Sequence, residues 1–330
     1  MCLSVSVFSQ NEDPQQFSQI IYAEKLRSHL QILASDSLEG RETGRTGQKK
    51  AAAYIASQFK KYGLQSLGDT NYLQKIHIPR DSLSAKRRSP EDSLGIFTEN
   101  VIGYIEGTDL KDEYVIISAH YDHLGISSDT SEKADKIFNG ADDNGSGTST
   151  IINIAEAFMK AKKEGNGPRR SILIIAFTGE EKGLLGSKYY VRNPLLPLDK
   201  AVADINIDMI GRVDDKQHNE HGYIYTIRSD RISKDLKKIT ENENEKYTKL
   251  KIDYYYDKKD DPNRFYYRSD HYNFAKNGIP VVFFFNGVHA DYHKESDEIS
   301  KINFNLMEVR ARLAFYTAWE VANREKKLKK

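Results

Sequence analysis

The chain has 330 residues, of which 38% are hydrophobic, and this is enough for a substantial buried core. Its 49 basic and 48 acidic residues nearly cancel, so charge gives no reason to expect nucleic acid or a membrane surface as a partner, and small molecules or peptides remain. Cys2 is the one cysteine, which excludes an intramolecular disulfide and a thiolate metal cluster. Any metal site must therefore use nitrogen and oxygen ligands.

Residues 1–10 are apolar and end in small and polar residues, a pattern that resembles the second half of a secretory signal. The basic residues that open such a signal are missing, so a disordered N-terminus is the alternative. We predict an N-terminal tail at residues 1–23 and expect an exported protein, periplasmic or secreted, with the cytoplasm as the alternative location. The longest apolar runs, at residues 172–177 and 279–285, are too short for an integral membrane segment, which needs about 18 residues.

Helical periodicity covers residues 24–64, interrupted at 40–47 by a loop of glycine, arginine and threonine. From residue 101 onward, short β-branched and aromatic runs alternate with helical patterns. Strands are predicted at residues 101–105, 114–119, 171–177, 203–207, 223–227 and 280–285, and helices at 147–163, 184–191, 233–242, 271–276 and 305–324. This alternation is typical of a single-domain, layered α/β/α fold with a mixed, mostly parallel central sheet. Residues 79–92 are polar and are predicted to form a surface excursion.

Four predicted strands are each followed by a side chain that can bind a metal. In chain order these side chains are His120, Glu181, Asp208 and His293. The carboxyl ends of parallel strands meet at one edge of a sheet, so the four groups can converge although they are far apart in sequence. With Asp143 they supply two imidazoles and three carboxylates, which suits two zinc ions that share one bridging carboxylate and leave positions for water and substrate.

His120 and Asp122 lie in the sequence Ala-His-Tyr-Asp-His. A ligating histidine usually donates its other ring N–H to a carboxylate, so Asp122 is predicted to orient His120. The alternative is an ordinary hydrogen-bonded strand end. The next histidine, His123, has no predicted role.

Asp142 and Asp143 are followed by Asn-Gly-Ser-Gly and a predicted helix. This pattern is typical of a plain helix N-cap. Alternatively, Asp143 turns inward and bridges two metal ions, while the small residues allow the backbone to approach closely. The motif by itself leaves both interpretations open.

Glu180 and Glu181 are adjacent carboxylates after a strand that is predicted to be buried. Their repulsion costs free energy unless a cation neutralises it, although both would also suit the start of an exposed helix. With a metal present, Glu181 would be a ligand and Glu180 the general base that takes a proton from water. Asp208 precedes the apolar Met209 and Ile210, so its carboxylate is either desolvated beside a cation or caps a strand at the surface.

His293 follows Tyr292, which places an O–H donor for a developing oxyanion next to a ligand. His289 is interpreted as a loop residue. The aromatic residues at 254–256 and 265–267 are predicted either to line a side-chain pocket or to pack in the core. The acidic residues at 257, 260 and 261 are interpreted as a solvated loop, with a calcium site as the alternative.

The ordered set of candidate ligands, with Glu180 directly before Glu181, resembles the M28 family of zinc-dependent aminopeptidases. Two further stretches are similar to that family. They are Ser-Leu-Glu-Gly-Arg at residues 37–41 with Gly44 and Gly47, and Arg-Ser-Asp-His at 268–271 followed by Asn-Gly-Ile-Pro at 277–280. Together these motifs span most of the chain, from residue 33 to about residue 302.

The resemblance implies two zinc ions per chain, one on His120, Asp143 and Asp208 and the other on Asp143, Glu181 and His293. It makes Glu180 the general base and Tyr292 a stabiliser of the tetrahedral intermediate. The reaction it implies is hydrolysis of the N-terminal residue from peptides with a free N-terminus, through a hydroxide that bridges the two ions. Members of the family also tend to hold a cis peptide bond after the bridging aspartate, so we expect one at Asp143–Asn144.

Many members of the family carry an inserted protease-associated domain, which residues 67–100 are too few to hold. We therefore expect one peptidase domain at residues 24–330 without that insert. One alternative is a glutaminyl cyclase, which shares the scaffold but uses a single zinc to close an N-terminal ring. Another is a catalytically silent binding protein on the same scaffold; such a protein would be expected to lose ligands or the base, whereas every position is filled here.

Overall fold

The computed structural model describes residues 13–67, 71–83, 92–129, 135–216, 222–227 and 230–329. Residues 1–10, on which the prediction of an export signal rests, lie outside these ranges. Within the predicted tail, Gln15–Ser18 form a short helix, and Phe17 is buried against Trp319 with ring centroids 5.4 Å apart. None of the described helices is both long enough and apolar enough to cross a membrane.

Nine of the described strands form one sheet, and two short ones pair separately. The strands are β1 Gln65–Ser66, β2 Leu73–Ile78, β3 Ile96–Ile105, β4 Tyr114–His120, β5 Gly125–Ile126, β6 Ile137–Phe138, β7 Ser171–Phe177, β8 Ala201–Ile207, β9 Tyr223–Ile227, β10 Lys251–Asp253 and β11 Val281–Phe285. All six predicted strands are present, and the bounds of β7 and β9 match the prediction.

The order of strands across the large sheet is β1-β3-β7-β4-β8-β11-β9-β10, and β2 also pairs with β3. The four central strands β7, β4, β8 and β11 run parallel. On either side of them, β3 is antiparallel to β7, and β9 is antiparallel to β11. The predicted mixed α/β sheet is confirmed, and its parallel part is the centre of the sheet.

The described α-helices flank this sheet. They are α1 Gln15–Ser18, α2 Ala23–Leu33, α3 Thr46–Tyr62, α4 Gly147–Lys163, α5 Leu185–Arg192, α6 Lys234–Glu243, α7 His271–Ala275 and α8 Phe304–Asn323. The helices predicted after residue 140 are all present, each within about one residue of its predicted bounds.

Alternate residues of the central strands enter two separate cores. Ile117 of β4 and Ile174 of β7 belong to the larger core, which includes residues of α2, α3, α4 and α8. Ile116 and Ile175, their neighbours in the chain, belong to a second core with Tyr190 of α5 and with α7. Since helices cover both faces, every residue of β4 and β7 is buried, and the architecture is a three-layer α/β/α arrangement.

The sequence prediction lacks β2 and starts β3 at residue 101, whereas the structure starts it at Ile96. β2 pairs antiparallel with the first half of β3. Ile76 and Ile78 of β2 are buried, and Lys75 and His77 are exposed. This alternation with period two is the sequence signal of a half-buried strand, so β2 was predictable in principle.

Asp204, in β8, is a fully buried carboxylate. Its Oδ1 accepts a hydrogen bond from the Ser118 hydroxyl at 2.7 Å, and its Oδ2 has no hydrogen-bond partner among the described residues. Burial, together with the charge of Asp270, raises the pKa of Asp204 to about 8. The folded state therefore keeps a proton that the unfolded chain releases near the ordinary pKa, and Asp204 makes the fold progressively less stable as pH rises from about 4 towards 8.

Asp204→Asn is expected to be more stable than the wild type, by a margin that grows with pH between about 5 and 8. The growth is at most about 1.4 kcal/mol per pH unit, because one proton is involved. Urea unfolding across this pH range measures the margin, and Asp112→Asn, at an exposed position, is the matched control. A margin that stays constant with pH would show that Asp204 does not carry the proton.

Candidate metal centre

The predicted metal ligands converge at the carboxyl ends of the parallel strands. His120 is the last residue of β4, and Asp208 comes directly after β8. Glu181 lies shortly after β7, Asp143 lies in the turn before α4, and His293 lies in the loop after β11. Parallel neighbours end at the same edge of a sheet, which is why residues so far apart in the chain meet here.

The first cluster consists of His120, Asp143 and Asp208, all buried. Nε2 of His120 lies 3.2 Å from Oδ1 of Asp143 and 3.2 Å from Oδ1 of Asp208. One nitrogen and two carboxylate oxygens therefore face a common point, which is the donor set expected for a zinc ion with an open fourth position.

The second cluster consists of Asp143, Glu181, His293 and His123. Nε2 of His293 lies 3.0 Å from Oδ2 of Asp143 and 3.3 Å from Oε1 of Glu181. Nδ1 of His123 lies 3.0 Å from the same Glu181 oxygen. Asp143 thus directs one carboxylate oxygen to each cluster, which is the geometry of a bridging ligand.

Sequence reasoning assigned no role to His123, yet its ring is buried in the second cluster. The residue lies next to Asp122 in the chain, but its partner Glu181 comes from a different strand end. A pattern of neighbouring residues in the sequence therefore cannot predict the contact between His123 and Glu181.

The residues of the centre fit a bound cation. Burial raises the pKa of Glu180 well above its usual range, with contributions from the charges of Glu181 and Asp208. Burial alone would lower the pKa of His120, but Asp208 and Asp143 raise it well above the ordinary value. Carboxylates this close to one another repel, and a divalent cation would remove the repulsion. Imidazole and carboxylate donors are the nitrogen and oxygen ligands that zinc accepts.

Glu180 lines the cavity over the metal centre without belonging to either cluster. Its main-chain N–H donates to Oδ1 of Asp122 at 3.1 Å, and this hydrogen bond fixes the start of the loop after β7. A carboxylate beside the metal ligands and not among them is free to take up a proton.

Asp122 acts differently from the prediction. Nδ1 of His120 lies 3.1 Å from the main-chain oxygen of Asp122 and 3.8 Å from its carboxylate, so the nearest acceptor is the carbonyl. The buried carboxylate instead accepts the Thr43 hydroxyl at 2.7 Å and the main-chain N–H of Glu180. Asp122 therefore connects the His120 loop to the Glu180 loop.

Tyr292 stacks on His293 with ring centroids 3.9 Å apart, and its hydroxyl accepts a hydrogen bond from Arg268 at 3.0 Å. Burial, aided by the charge of Asp143, raises the pKa of the Tyr292 phenol. The phenol is therefore protonated at neutral pH, and the hydroxyl can donate a hydrogen bond into the cavity.

The turn that carries Asp143 is held from several sides. Oδ2 of Asp297 accepts the main-chain N–H groups of Asp142 and Asp143 at 3.0 and 3.1 Å. The carboxylate of Asp142 points away from the clusters, and it accepts the Gly211 N–H at 2.6 Å and lies 3.2 Å from His289. His289 is therefore a partner of this turn rather than a simple loop residue. The Asp143–Asn144 peptide bond is cis, as expected from the family resemblance.

The same motif also makes a hydrogen bond to the start of helix α4, as the helix-cap interpretation predicts, and the side chain that makes it is Asn144. Oδ1 of Asn144 accepts the N–H of Gly147, the first residue of α4, at 2.9 Å. The same oxygen accepts the N–H of Met209 at 3.1 Å, and Nδ2 donates to the carbonyl of Ile207. Asn144 thus ties α4 to the end of β8, while Asp143 turns towards the metal centre.

Arg41, from the Ser-Leu-Glu-Gly-Arg motif, is fully buried and holds together two loops of the metal centre. Its guanidinium donates to the carbonyl oxygens of Tyr121, Asn139 and Gly140 at 2.8, 2.7 and 3.0 Å, and it also donates to Leu33. One side chain thus donates to four carbonyl oxygens from separate stretches of the chain, as the several N–H groups of a guanidinium allow. Arg41 therefore joins the loop after His120 to the loop before Asp143.

A small cavity opens over the metal centre. Its lining combines apolar side chains with polar ones. The apolar residues are Met209, Phe265, Phe283 and Phe285, and the polar ones are His120, Asp143, Glu180, Asp208, Arg268, Tyr292 and His293. The aromatic residues at 254–256 and 265–267 form an aromatic tract, and its members take both of the predicted roles. Phe265 faces the cavity, whereas Tyr256 packs behind it against Phe265 and Phe285.

One residue of the acidic run, which lies between the two halves of this tract, has a local structural role. Asp261 accepts the main-chain N–H groups of Asn263 and Phe265 at 3.0 and 3.1 Å. It stabilises the turn that leads to the cavity wall, as short polar side chains commonly do in turns.

A model of the family described as "Peptidase family M28" matches residues 100–318. The chain belongs to peptidase family M28. The matched range includes both clusters and Glu180, whereas Arg41 and its motif lie before it. The family assignment drawn from the sequence motifs is confirmed.

Curated relatives agree with this family. A "Probable leucine aminopeptidase" of Arthroderma benhamiae is 28% identical over 216 residues, which cover 64% of this M28 chain and 55% of the relative. A "Probable glutamate carboxypeptidase" of Arabidopsis thaliana is 38% identical over 111 residues, which cover 33% of this chain and 14% of the relative. The M28 chain thus spans about half or less of the length of these relatives.

Solved structures share the fold. A zinc aminopeptidase from Bacillus subtilis superposes with a TM-score of 0.70 at 19% identity, covering 93% of this chain and 96% of that one. A glutaminyl cyclase from Porphyromonas gingivalis superposes with a TM-score of 0.64 at 19% identity, covering 90% of this chain and 98% of that one. At such identities the likeness establishes the common scaffold.

Proposed function

We propose that this M28 protein is a metallo-aminopeptidase that uses two zinc ions to hydrolyse the N-terminal residue from peptides. The observation that carries the proposal is the position of Asp143, whose two oxygens face His120 on one side and His293 on the other. A carboxylate shared in this way suits two adjacent cations. A lone cation would leave one cluster of buried carboxylates without compensation.

Zinc ions bound at the two clusters would polarise the scissile carbonyl and lower the pKa of water enough for attack near neutral pH. In the proposed reaction, the Glu180 carboxylate accepts the proton of the attacking water and returns it to the leaving amine. The Tyr292 hydroxyl donates a hydrogen bond to the carbonyl oxygen as negative charge develops there. The apolar wall of Met209, Phe265, Phe283 and Phe285 receives the side chain of the N-terminal residue.

We further propose that the enzyme is an exopeptidase, because the carboxylates of Asp143, Glu180 and Asp208 line the cavity. The ammonium of a free N-terminus would be held by carboxylates there, whereas an acetylated N-terminus lacks the charge. A glutaminyl cyclase on the same scaffold would use a single zinc, and the two clusters around Asp143 favour the two-zinc peptidase.

The test is hydrolysis of aminoacyl chromogenic substrates and matched peptides, each with a free or an acetylated N-terminus. Free substrates are expected to be cleaved at least about 100-fold faster, a difference that corresponds to about 3 kcal/mol of ammonium recognition. Dialysis against a chelator is expected to abolish cleavage, and zinc is expected to restore it. Equal rates on both kinds of substrate would remove the exopeptidase assignment, and release of ammonia from N-terminal glutamine without peptide cleavage would indicate the cyclase.

A further inference from the structure

We infer that His123 is a fourth ligand in the second cluster, so that this cluster offers four donor atoms and the first cluster offers three. The inference rests on the proposed function, since it assumes that the second cluster holds a metal ion. It adds a residue to which the sequence motifs and the family resemblance gave no role.

The distances among the donor atoms carry the argument. Around a tetrahedral zinc ion with bonds of about 2.0–2.2 Å, neighbouring ligand atoms lie about 3.3–3.6 Å apart. Oε1 of Glu181 lies 3.0 Å from Nδ1 of His123 and 3.3 Å from Nε2 of His293. Oδ2 of Asp143 lies 3.0 Å from Nε2 of His293 and 3.9 Å from Nδ1 of His123. These four separations match four of the six edges of such a tetrahedron to within about 0.6 Å.

The two imidazoles of the second cluster approach from different directions. The rings of His123 and His293 have centroids 5.8 Å apart and an interplanar angle of 66°. They therefore do not stack on each other, and a nitrogen of each can point to a common ion between Asp143 and Glu181.

The position of the His123 ring is fixed by its surroundings. Its side chain is buried, and its main-chain N–H donates to the carbonyl of Arg41 at 3.2 Å. A Cβ atom on Gly140 would come within 2.4 Å of the ring, so the loop that leads to Asp143 closes directly over it. Ligands that are held in place before metal binding lose little conformational entropy when the ion arrives.

The consequence is an asymmetric centre. Four protein donors hold a zinc ion more tightly than three, and such an ion can still take water or substrate as a fifth ligand. The second cluster is therefore expected to bind its ion more tightly, and the first cluster to hold the more readily exchanged ion.

The test is zinc binding, measured by competition with a chromogenic chelator and independent of turnover. Wild-type protein is expected to show a tight and a weaker class of site. His123→Ala and His123→Asn are both expected to weaken the tight class by at least about 100-fold, more than the loss of an outer partner would, and to leave the weaker class unchanged. His77→Asn, which changes an exposed histidine of β2, is the matched control. Thermal unfolding of the metal-free proteins shows whether each variant is folded.

His123→Asn separates a ligand from a mere hydrogen-bond donor. Its side-chain amide can donate to Glu181 from about the position of Nδ1, but a neutral amide nitrogen does not bind zinc. X-ray absorption of protein loaded with one equivalent of zinc should then show two imidazoles per zinc in the wild type and one in His123→Asn. Wild-type affinity in His123→Asn would overturn the inference and leave His123 as a residue that positions Glu181.

The inference and the proposed function fail in different ways. Two zinc ions bound with unchanged affinity in both His123 variants would overturn the fourth ligand alone. A wild-type protein that binds no zinc would overturn the proposed function, and the fourth ligand with it.

Discussion

Glu180→Gln is expected to lower kcat for peptide hydrolysis by about 10²- to 10⁴-fold, the usual contribution of a general base. Glutamine keeps the size of the side chain and can still accept a hydrogen bond, but it cannot take a proton from water. Because Glu180 lines the cavity without joining either cluster, the zinc content of the variant should equal that of the wild type. Steady-state kinetics and elemental analysis on the same preparation check both statements.

Glu325→Gln is the matched control for this experiment. Glu325 is exposed and forms an ion pair with Arg169, far in the fold from the metal ligands, so activity should be unaffected. Retained activity in Glu180→Gln would remove Glu180 from the mechanism. Loss of zinc together with activity would instead make Glu180 a ligand.

The central strands and the convergence of the ligands were predictable for the same reason. β4 and β7 are buried on both faces, so their sequences are short and almost continuously apolar, and a polar side chain at the end of such a run is conspicuous. Strands such as β5, β6 and β10 have two or three residues, which is too short for any periodicity to show.

The roles of polar residues near the site were harder to predict. His123 meets Glu181 across 58 positions of chain, and Asn144 ties α4 to the end of β8. Both contacts depend on how the loops fold over the sheet. The carboxylate of Asp122 was predicted to face His120, but the main-chain carbonyl lies closer, and sequence spacing cannot distinguish the two acceptors.

The positions of the residues in the aromatic tract were also only partly predictable from the sequence. Composition indicates that Tyr256 and Phe265 are suited to burial, but it does not show which of them faces a cavity. The structure places Phe265 on the cavity wall and Tyr256 behind it. Under the proposed function, the preference for the N-terminal residue of the substrate would therefore depend on a tertiary arrangement that alternation patterns do not encode.

Asp143→Asn is expected to reduce zinc binding at both clusters, whereas Asp208→Asn should affect the first cluster alone. Each Asp143 oxygen faces a different imidazole, so the loss of its charge weakens two sites at once. Asp208 contacts only His120 among the imidazole ligands, through Oδ1, while its Oδ2 accepts the Ser269 hydroxyl at 2.7 Å. Replacing a ligating carboxylate is expected to cost at least about 100-fold in affinity, more than the loss of an outer partner.

Activity should follow zinc content in this series. Both variants are expected to lose peptide hydrolysis, because the proposed reaction needs both ions. Asp112→Asn, already the control for the buried Asp204, also serves here as an exposed aspartate.

Elemental analysis after equilibrium dialysis against buffered zinc is the most direct measurement. We expect two zinc ions per chain in the wild type, one in Asp208→Asn and fewer than one in Asp143→Asn. One zinc ion or none in the wild type, or two retained in Asp143→Asn, would contradict this expectation.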